Sequence, residues 1–362
     1  MTSQPIYLLW ILILSAVVAG CANVPEEAEL SEAEEIPKID IHTHYTYPRS
    51  YLMPLLEEWN MRAVVVEVLT DPERARWNAM VEHFDMHPNR LLLCTSFDAA
   101  RIDEPDFAET AIEQLRADLA RGAILVKVWK NIGMVHKDNT GNFIQIDDPR
   151  FQPIWDFLAD EGIPVLAHIG EPRAAWLPLD ESNPHYDYYA NHPQYHAYND
   201  PEIPQWETMI EARDNWLERN PDLTVIGAHL GSMAYDVDEV ARRLDAYPNF
   251  HVEPAERFGD LAIQPTEKVR AFFIKYQDRI MYGTDLGTGE AESELSQAEL
   301  EEEREDFINR RLQIHWDYLT SADSVEFART GTPFRVMTMG LDLPEDVIEK
   351  VYYRNAAELL QL

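Results

Sequence analysis

The chain has 362 residues, 46% of them hydrophobic, and a formal net charge of −35. That is enough apolar material for a large core, and too negative a field for nucleic acid or anionic lipid headgroups to be partners. Of its 30 basic residues only seven are lysine; acid-rich, lysine-poor surfaces suit high external salt, which screens self-repulsion, so adaptation to a saline habitat is expected, and full activity without added salt would overturn it.

Residues 6–19 form a nearly unbroken apolar run, shorter than the ~20 residues a spanning helix needs and of the size of a signal-peptide core. It ends in Val18-Ala19-Gly20-Cys21, which resembles a bacterial lipobox with Cys21 as the lipidated residue. One departure is that no Lys or Arg precedes the run; an ordinary cleaved signal or an N-terminal anchor are the alternatives. Each of these places the rest of the chain outside the cytoplasm. Residues 21–35 are rich in Glu and lack aromatic residues, so they read as a linker that cannot support a core. The division is 1–20 signal peptide, 21–35 acidic linker and 36–362 barrel. Cys94, in an apolar stretch, is then the only thiol of the mature chain, and reads as a core residue without a disulfide partner.

From residue 36 onward, short β-rich apolar runs alternate with amphipathic helical stretches. The runs are 38–44, 62–69, 90–97, 123–130, 163–168, 223–229, 249–254 and 280–284. None has the clean alternation of a half-exposed strand, as expected for parallel strands covered on both faces. Helices are predicted over 106–121, 204–220, 233–247 and 265–277, with Asp148-Pro149 opening a further one and Arg121-Gly122 closing another. Eight strand–helix units predict an α/β fold, a closed (β/α)8 barrel. No Gly-x-Gly-x-x-Gly follows the first run, so a dinucleotide fold lacks its signature. The stretch 170–203 after the fifth run is long and holds five tyrosines and three histidines. It is either a lid over the active face or a surface excursion with its own small core. The Glu-dense stretch 287–306 reads as a charged exposed helix.

The first run ends His42-Thr43-His44. Alternate strand residues share a face, so both imidazoles point one way and form a ready pair of metal ligands. His168 closes the fifth run, His229 the sixth, and Asp285 the eighth. One such histidine alone is usually a satisfied core residue. Four histidines and an aspartate at the same ends of four barrel strands are harder to explain as independent structural choices.

This order, with Asp-Ile-His-Thr-His, Gly-Ala-His-Leu-Gly and Tyr-Gly-Thr-Asp around it, resembles the amidohydrolase superfamily. It is most similar to the amidohydrolase-related branch that includes relatives of aminocarboxymuconate-semialdehyde decarboxylase. The resemblance spans roughly residues 36–360. It implies zinc or a similar divalent ion held by His42, His44, His168 and Asp285, with His229 orienting water or polarising the substrate. In binuclear members a carboxylated lysine of the fourth strand bridges two ions, and Lys127 is similarly placed; His168 and His229 would then hold the second ion. The alternative is a Lys127 salt bridge to Glu67. Trp129, Lys130 and Arg173 are candidates for binding the substrate, Lys130 and Arg173 through an anionic group.

The implied activity is metal-dependent hydrolysis of an amide, ester or lactone of a small molecule, with Asp285 and His229 as catalytic residues. A metal-dependent decarboxylase and a non-catalytic binding lipoprotein are the alternatives. Expected partners are a small-molecule substrate and the membrane through Cys21; a homo-oligomer is left open.

Overall fold

The computed structural model describes residues 35–68, 73–180, 182–288, 297–328 and 335–362. The expected signal peptide, the lipidation site at Cys21 and the linker up to residue 34 lie outside the described residues. Eight parallel strands are present: β1 Lys38–His44, β2 Met61–Val66, β3 Leu91–Ser96, β4 Ala123–Val128, β5 Val165–Ala167, β6 Val225–Gly227, β7 Phe250–Val252 and β8 Leu286–Gly287. They are hydrogen-bonded in the order β7-β6-β5-β4-β3-β2-β1-β8. The segment before β8 completes the circle: Ile280 bridges Val252, Met281 N donates to Val252 O at 2.9 Å and Ile41 N to Tyr282 O at 3.1 Å. The fold is the (β/α)8 barrel expected from the sequence.

The strands have two apolar faces, as their uninterrupted hydrophobicity requires. One face packs under the helices in the large core. The other gives a smaller cluster from Ile39, Ile41, Val64, Val66, Leu125, Leu166 and Ile226, stoppered by Ala356 and Leu360 at the chain end. Lys127 follows Leu125 by two residues, and so shares that interior face.

The helical layer follows local signals. Helix Phe107–Ala120 buries Phe107, Ala111, Leu115 and Asp118, a stripe at helical spacing, and ends before Gly122 at φ 113°, where a Cβ would be strained. Asp148 accepts from Arg150 N and opens the turn Pro149–Phe151 that leads into helix Gln152–Asp160. Helices Trp206–Arg219, Val237–Ala246 and Thr266–Lys275 fall within the predicted stretches.

Two regions differ from expectation. The eighth strand was expected over 280–284, but regular pairing falls at Leu286–Gly287, with one bridge at Ile280. Between them Asp285 takes φ 61°, and Thr284 N donates to the side chain of Asp40 on β1 at 3.1 Å instead of to a backbone carbonyl. The acidic stretch enters helix Gln297–Thr320, which is longer than expected because Ile308, Leu312, Trp316 and Leu319 are buried against the barrel. A hairpin of β9 Ser324–Ala328 and β10 Arg335–Met339 follows.

Asp40 joins the first and last strands. Fully buried, it accepts from His42 N and Thr284 N at 3.1 Å each and from the Thr284 hydroxyl at 2.6 Å. Burial pushes its carboxyl up to about 8. Asp40→Ala strands these donors and is expected to lower unfolding free energy by roughly 2–4 kcal/mol in urea titrations, with Asp40→Asn costing less because it keeps an acceptor. A carboxyl raised from 3.8 to about 8 on folding contributes fully below pH ~4 and loses that contribution as pH rises toward 8. The Asn variant should flatten this part of the stability profile.

Candidate active site

The five residues singled out by sequence converge at the C-terminal rim of the barrel. Asp285 Oδ1 lies 2.9 Å from His44 Nε2 and 3.3 Å from His42 Nε2, and Oδ2 lies 3.8 Å from His229 Nε2. His168 Nδ1 is 3.3 Å from His229 Nε2, the rings meeting edge-on with centroids 4.3 Å apart.

The second nitrogen of each ring decides what the first can do. His42 Nδ1 donates to Glu253 Oε1 at 2.8 Å, His44 Nδ1 to Val66 O at 3.2 Å, and His229 Nδ1 to Ala255 O at 2.8 Å. Carbonyls and carboxylates only accept, so these partners assign the proton to Nδ1 and the lone pair to Nε2. Three lone pairs thus face one carboxylate, acceptors opposite acceptors. Burial holds His42 and His168 well below the usual imidazole range and His229 at about 3, so the rings are neutral. Burial raises the Asp285 carboxyl, and only positive charge beside it, at the His42, His44 and His229 positions, holds it well below its usual range; neutral rings do not supply that charge, and a bound cation does.

Such a set is short of positive charge. The nearby cation is Lys127, whose Nζ lies 3.0 Å from His42 Nε2 and whose ammonium burial pushes below its usual pKa. His168 Nε2 is buried with no hydrogen-bond partner among the described residues. Donor atoms of His42, His229 and Asp285 all lie within 4.8 Å of one another. These features fit a divalent ion, which takes neutral imidazoles and a carboxylate. The alternative of a Lys127–Glu67 ion pair is not what forms: Glu67 pairs with Arg74 at 2.8 Å.

The backbone is forced to make this arrangement. His229 and Asp285 have φ of 58° and 61°, and Leu230 and Ser232 follow at 57° and 60°. These are left-handed conformations that non-glycine residues hold only when their surroundings demand it. Between Asp40 and Thr43, β1 also shifts register against β2, a device that re-aims side chains.

A cavity of about 310 Å³ opens above the cluster, lined by His42, His44, His168, Asp285, Lys127, Trp129, Lys130, Val68 and Arg76. Trp129 and Lys130 thus line this cavity, with Lys130 paired to Glu171 and its Nζ 4.2 Å from the Tyr195 ring. Arg173 does not line this cavity. It begins the turn Arg173–Trp176 and lines a different cavity, where its guanidinium lies 5.4 Å from the Tyr235 ring. The loop itself forms a small core around Tyr189, Ala174 and Ala175, yet Tyr195 touches the cavity rim through Lys130.

Two contributors were missed from sequence. Glu253, fully buried, holds His42 Nδ1, accepts from His229 N at 3.1 Å and from Ala255 N. It stands at the end of the seventh apolar run, where the rule applied to His168, His229 and Asp285 would have found it. Arg76 lies on helix Ala75–Met86, with no local signal to set it apart.

The amidohydrolase family matches residues 39–362, and the chain belongs to it. No curated protein matches the chain. Among solved structures, 2,6-dihydroxybenzoate decarboxylase from Rhizobium is 17% identical, with 90% of this chain and 99% of that one covered and a TM-score of 0.50. A dihydroxybenzoic acid decarboxylase from Polaromonas sp., with bound manganese and 2-nitroresorcinol, is 15% identical, covering 90% of this chain and 97% of its own at a TM-score of 0.51. At this identity the likeness establishes a shared fold.

Glu253→Gln is expected to weaken metal affinity about 10- to 100-fold in a chelator competition, as loss of an imidazole's outer partner does. Gly283→Ala places a Cβ 2.9 Å from Glu253 Oε2 and 3.3 Å from His42 Cβ, and should give a comparable loss with the fold retained by circular dichroism.

Proposed function

We propose that the protein is a metal-dependent hydrolase acting on an amide, ester or lactone of a small anionic molecule. What carries the reading is the convergence of three Nε2 atoms on the Asp285 carboxyl, an arrangement that a bound cation satisfies. His42, His44, His168 and Asp285 would hold the ion, zinc being suited to this donor set; were a second ion present, His168 and His229 would serve it, with Lys127 as the carboxylated lysine. When bound, the ion supplies Lewis acidity and a water with pKa lowered from about 15.7 to about 7.

The chain's own groups do the rest. Asp285, whose second oxygen faces the His229 ring, takes the proton of the attacking water and returns it to the leaving group. His229 keeps Nδ1 on Ala255 O, so its Nε2 is set to ligate or to accept. The substrate-polarising role that the resemblance implies for it requires that it first take up a proton. Trp129 and Val68 give the cavity apolar wall, and Arg76 and Lys130 offer charge to a substrate anion.

Those cationic side chains also suit a second reading, decarboxylation of a small carboxylate held by Arg76 and Lys130. The two are separated by assaying released CO2 against hydrolysis across ester, lactone and amide panels with anionic side groups.

We also propose that Cys21 is lipidated and anchors the barrel on the outer side of a membrane through the acidic linker. Labelled fatty acid incorporated into the wild type but not into Cys21→Ala would support this; equal labelling would sink it.

His42→Ala and His44→Ala are expected to lose bound metal by elemental analysis and at least 10³-fold in turnover, since the ion and its water go together. Full activity and metal content in either variant would overturn the assignment. Lys130→Met should raise KM about tenfold or more for anionic substrates, by loss of one charge-assisted contact, while metal content stays unchanged.

A further inference from the structure

A second cavity, of about 240 Å³, lies under the long loop between β5 and helix Trp206–Arg219. It shares no lining residue with the cavity over the histidine cluster. Its walls are largely apolar, including Pro172, Ala174 and Ala234, of which Ala174 and Ala234 are buried. Three charged side chains enter it: Arg173, Arg257 and Asp260.

The polar groups that enter it select the ligand. Asp260 is engaged by His185, Oδ1 to Nε2 at 2.8 Å. Arg257 donates through Nη1 to Glu256 O at 2.9 Å, while its Nε is buried with no hydrogen-bond partner among the described residues. Arg173 is half-exposed, its closest acid being Glu207 at 4.0 Å, and its guanidinium lies 5.4 Å from the Tyr235 ring. Arg173 shares Glu207 on its exposed side, so what the cavity leaves unmet is the buried Nε of Arg257. A buried N–H without an acceptor is unfavourable, and an entering monoanion with an apolar body supplies one. An apolar cavity of about 150 Å³ holds benzene, so this one has room for a single ring and a carboxylate.

We propose that this cavity is a second binding site, for a small monoanionic organic acid with one ring or an equivalent branched apolar body, gripped by Arg257 and closed by Arg173. The site is tied to the metal cluster through one turn. Glu253 holds His42, Ala255 O holds His229 Nδ1, and Arg257 follows two residues later. A ligand on Arg257 therefore bears on the turn that sets both imidazoles.

The test is calorimetric titration of the full chain with benzoate, with benzylamine as the cationic control. Saturable benzoate binding in the millimolar range or tighter is expected, with benzylamine at least tenfold weaker. Arg257→Met, which removes the charge-assisted grip, should weaken benzoate about tenfold or more. Ala234→Phe, which fills the cavity without touching charge, should abolish the same binding step that Arg257→Met weakens, leaving any benzoate bound in the metal cavity, and covers the case in which the Arg257 variant does not fold. His44→Ala, which disrupts the other cavity, should leave benzoate affinity within about twofold. The proposal is overturned by no saturable binding, by equal binding of benzylamine, by benzoate binding unaffected by Ala234→Phe, or by binding lost in His44→Ala.

Discussion

Three imidazoles turn their Nε2 atoms toward one carboxyl group, and most of the barrel's upper rim is arranged to keep them there. Each ring is held by its far nitrogen: His42 by Glu253, His44 by the Val66 carbonyl, His229 by the Ala255 carbonyl. These bonds set tautomer and orientation before any ion arrives, which lowers the ordering cost of binding one. They join four strands or strand ends: β1 with His42 and His44, β2 with Val66, the end of β6 with His229, and the end of β7 with Glu253 and Ala255. The site is therefore a property of the closed barrel, not of any local segment.

The cost of this preorganisation is visible in the backbone. The left-handed conformations at His229 and Asp285 persist only because hydrogen bonds fasten both sides: His229 N to Glu253, and Asp285 N to His42 O at 2.7 Å. Close approaches complete the picture. A side chain at Gly283 or Gly287 would meet Glu253 Oε2 at 2.9 Å or His44 Cβ at 3.1 Å, so glycine is required where the last strand passes the ligands. Strain of this kind concentrates where function needs a fixed geometry.

Charge is distributed unevenly. The chain carries −35 overall, yet Arg76, Lys127 and Lys130 line the cavity above the metal cluster. A net-negative chain and a locally basic cleft are compatible, because low-dielectric walls focus the local field.

Fold class and the five converging residues were legible in the chain because each rests on a local pattern. Buried parallel strands leave continuous apolar runs, strand ends face one rim, and His42-Thr43-His44 puts two rings on one side. Family membership was legible for the same reason. What only the tertiary structure decided depends on contacts between distant segments. Lys127 turns to His42 because Arg74 has already taken Glu67. Glu253 serves two histidines at once, Arg76 reaches the cavity from a helix, and Arg173, near the fifth strand in sequence, is carried by its turn to a different cavity. Periodicity tells which face a side chain occupies; it carries no information on which partner, hundreds of residues away, will be waiting there.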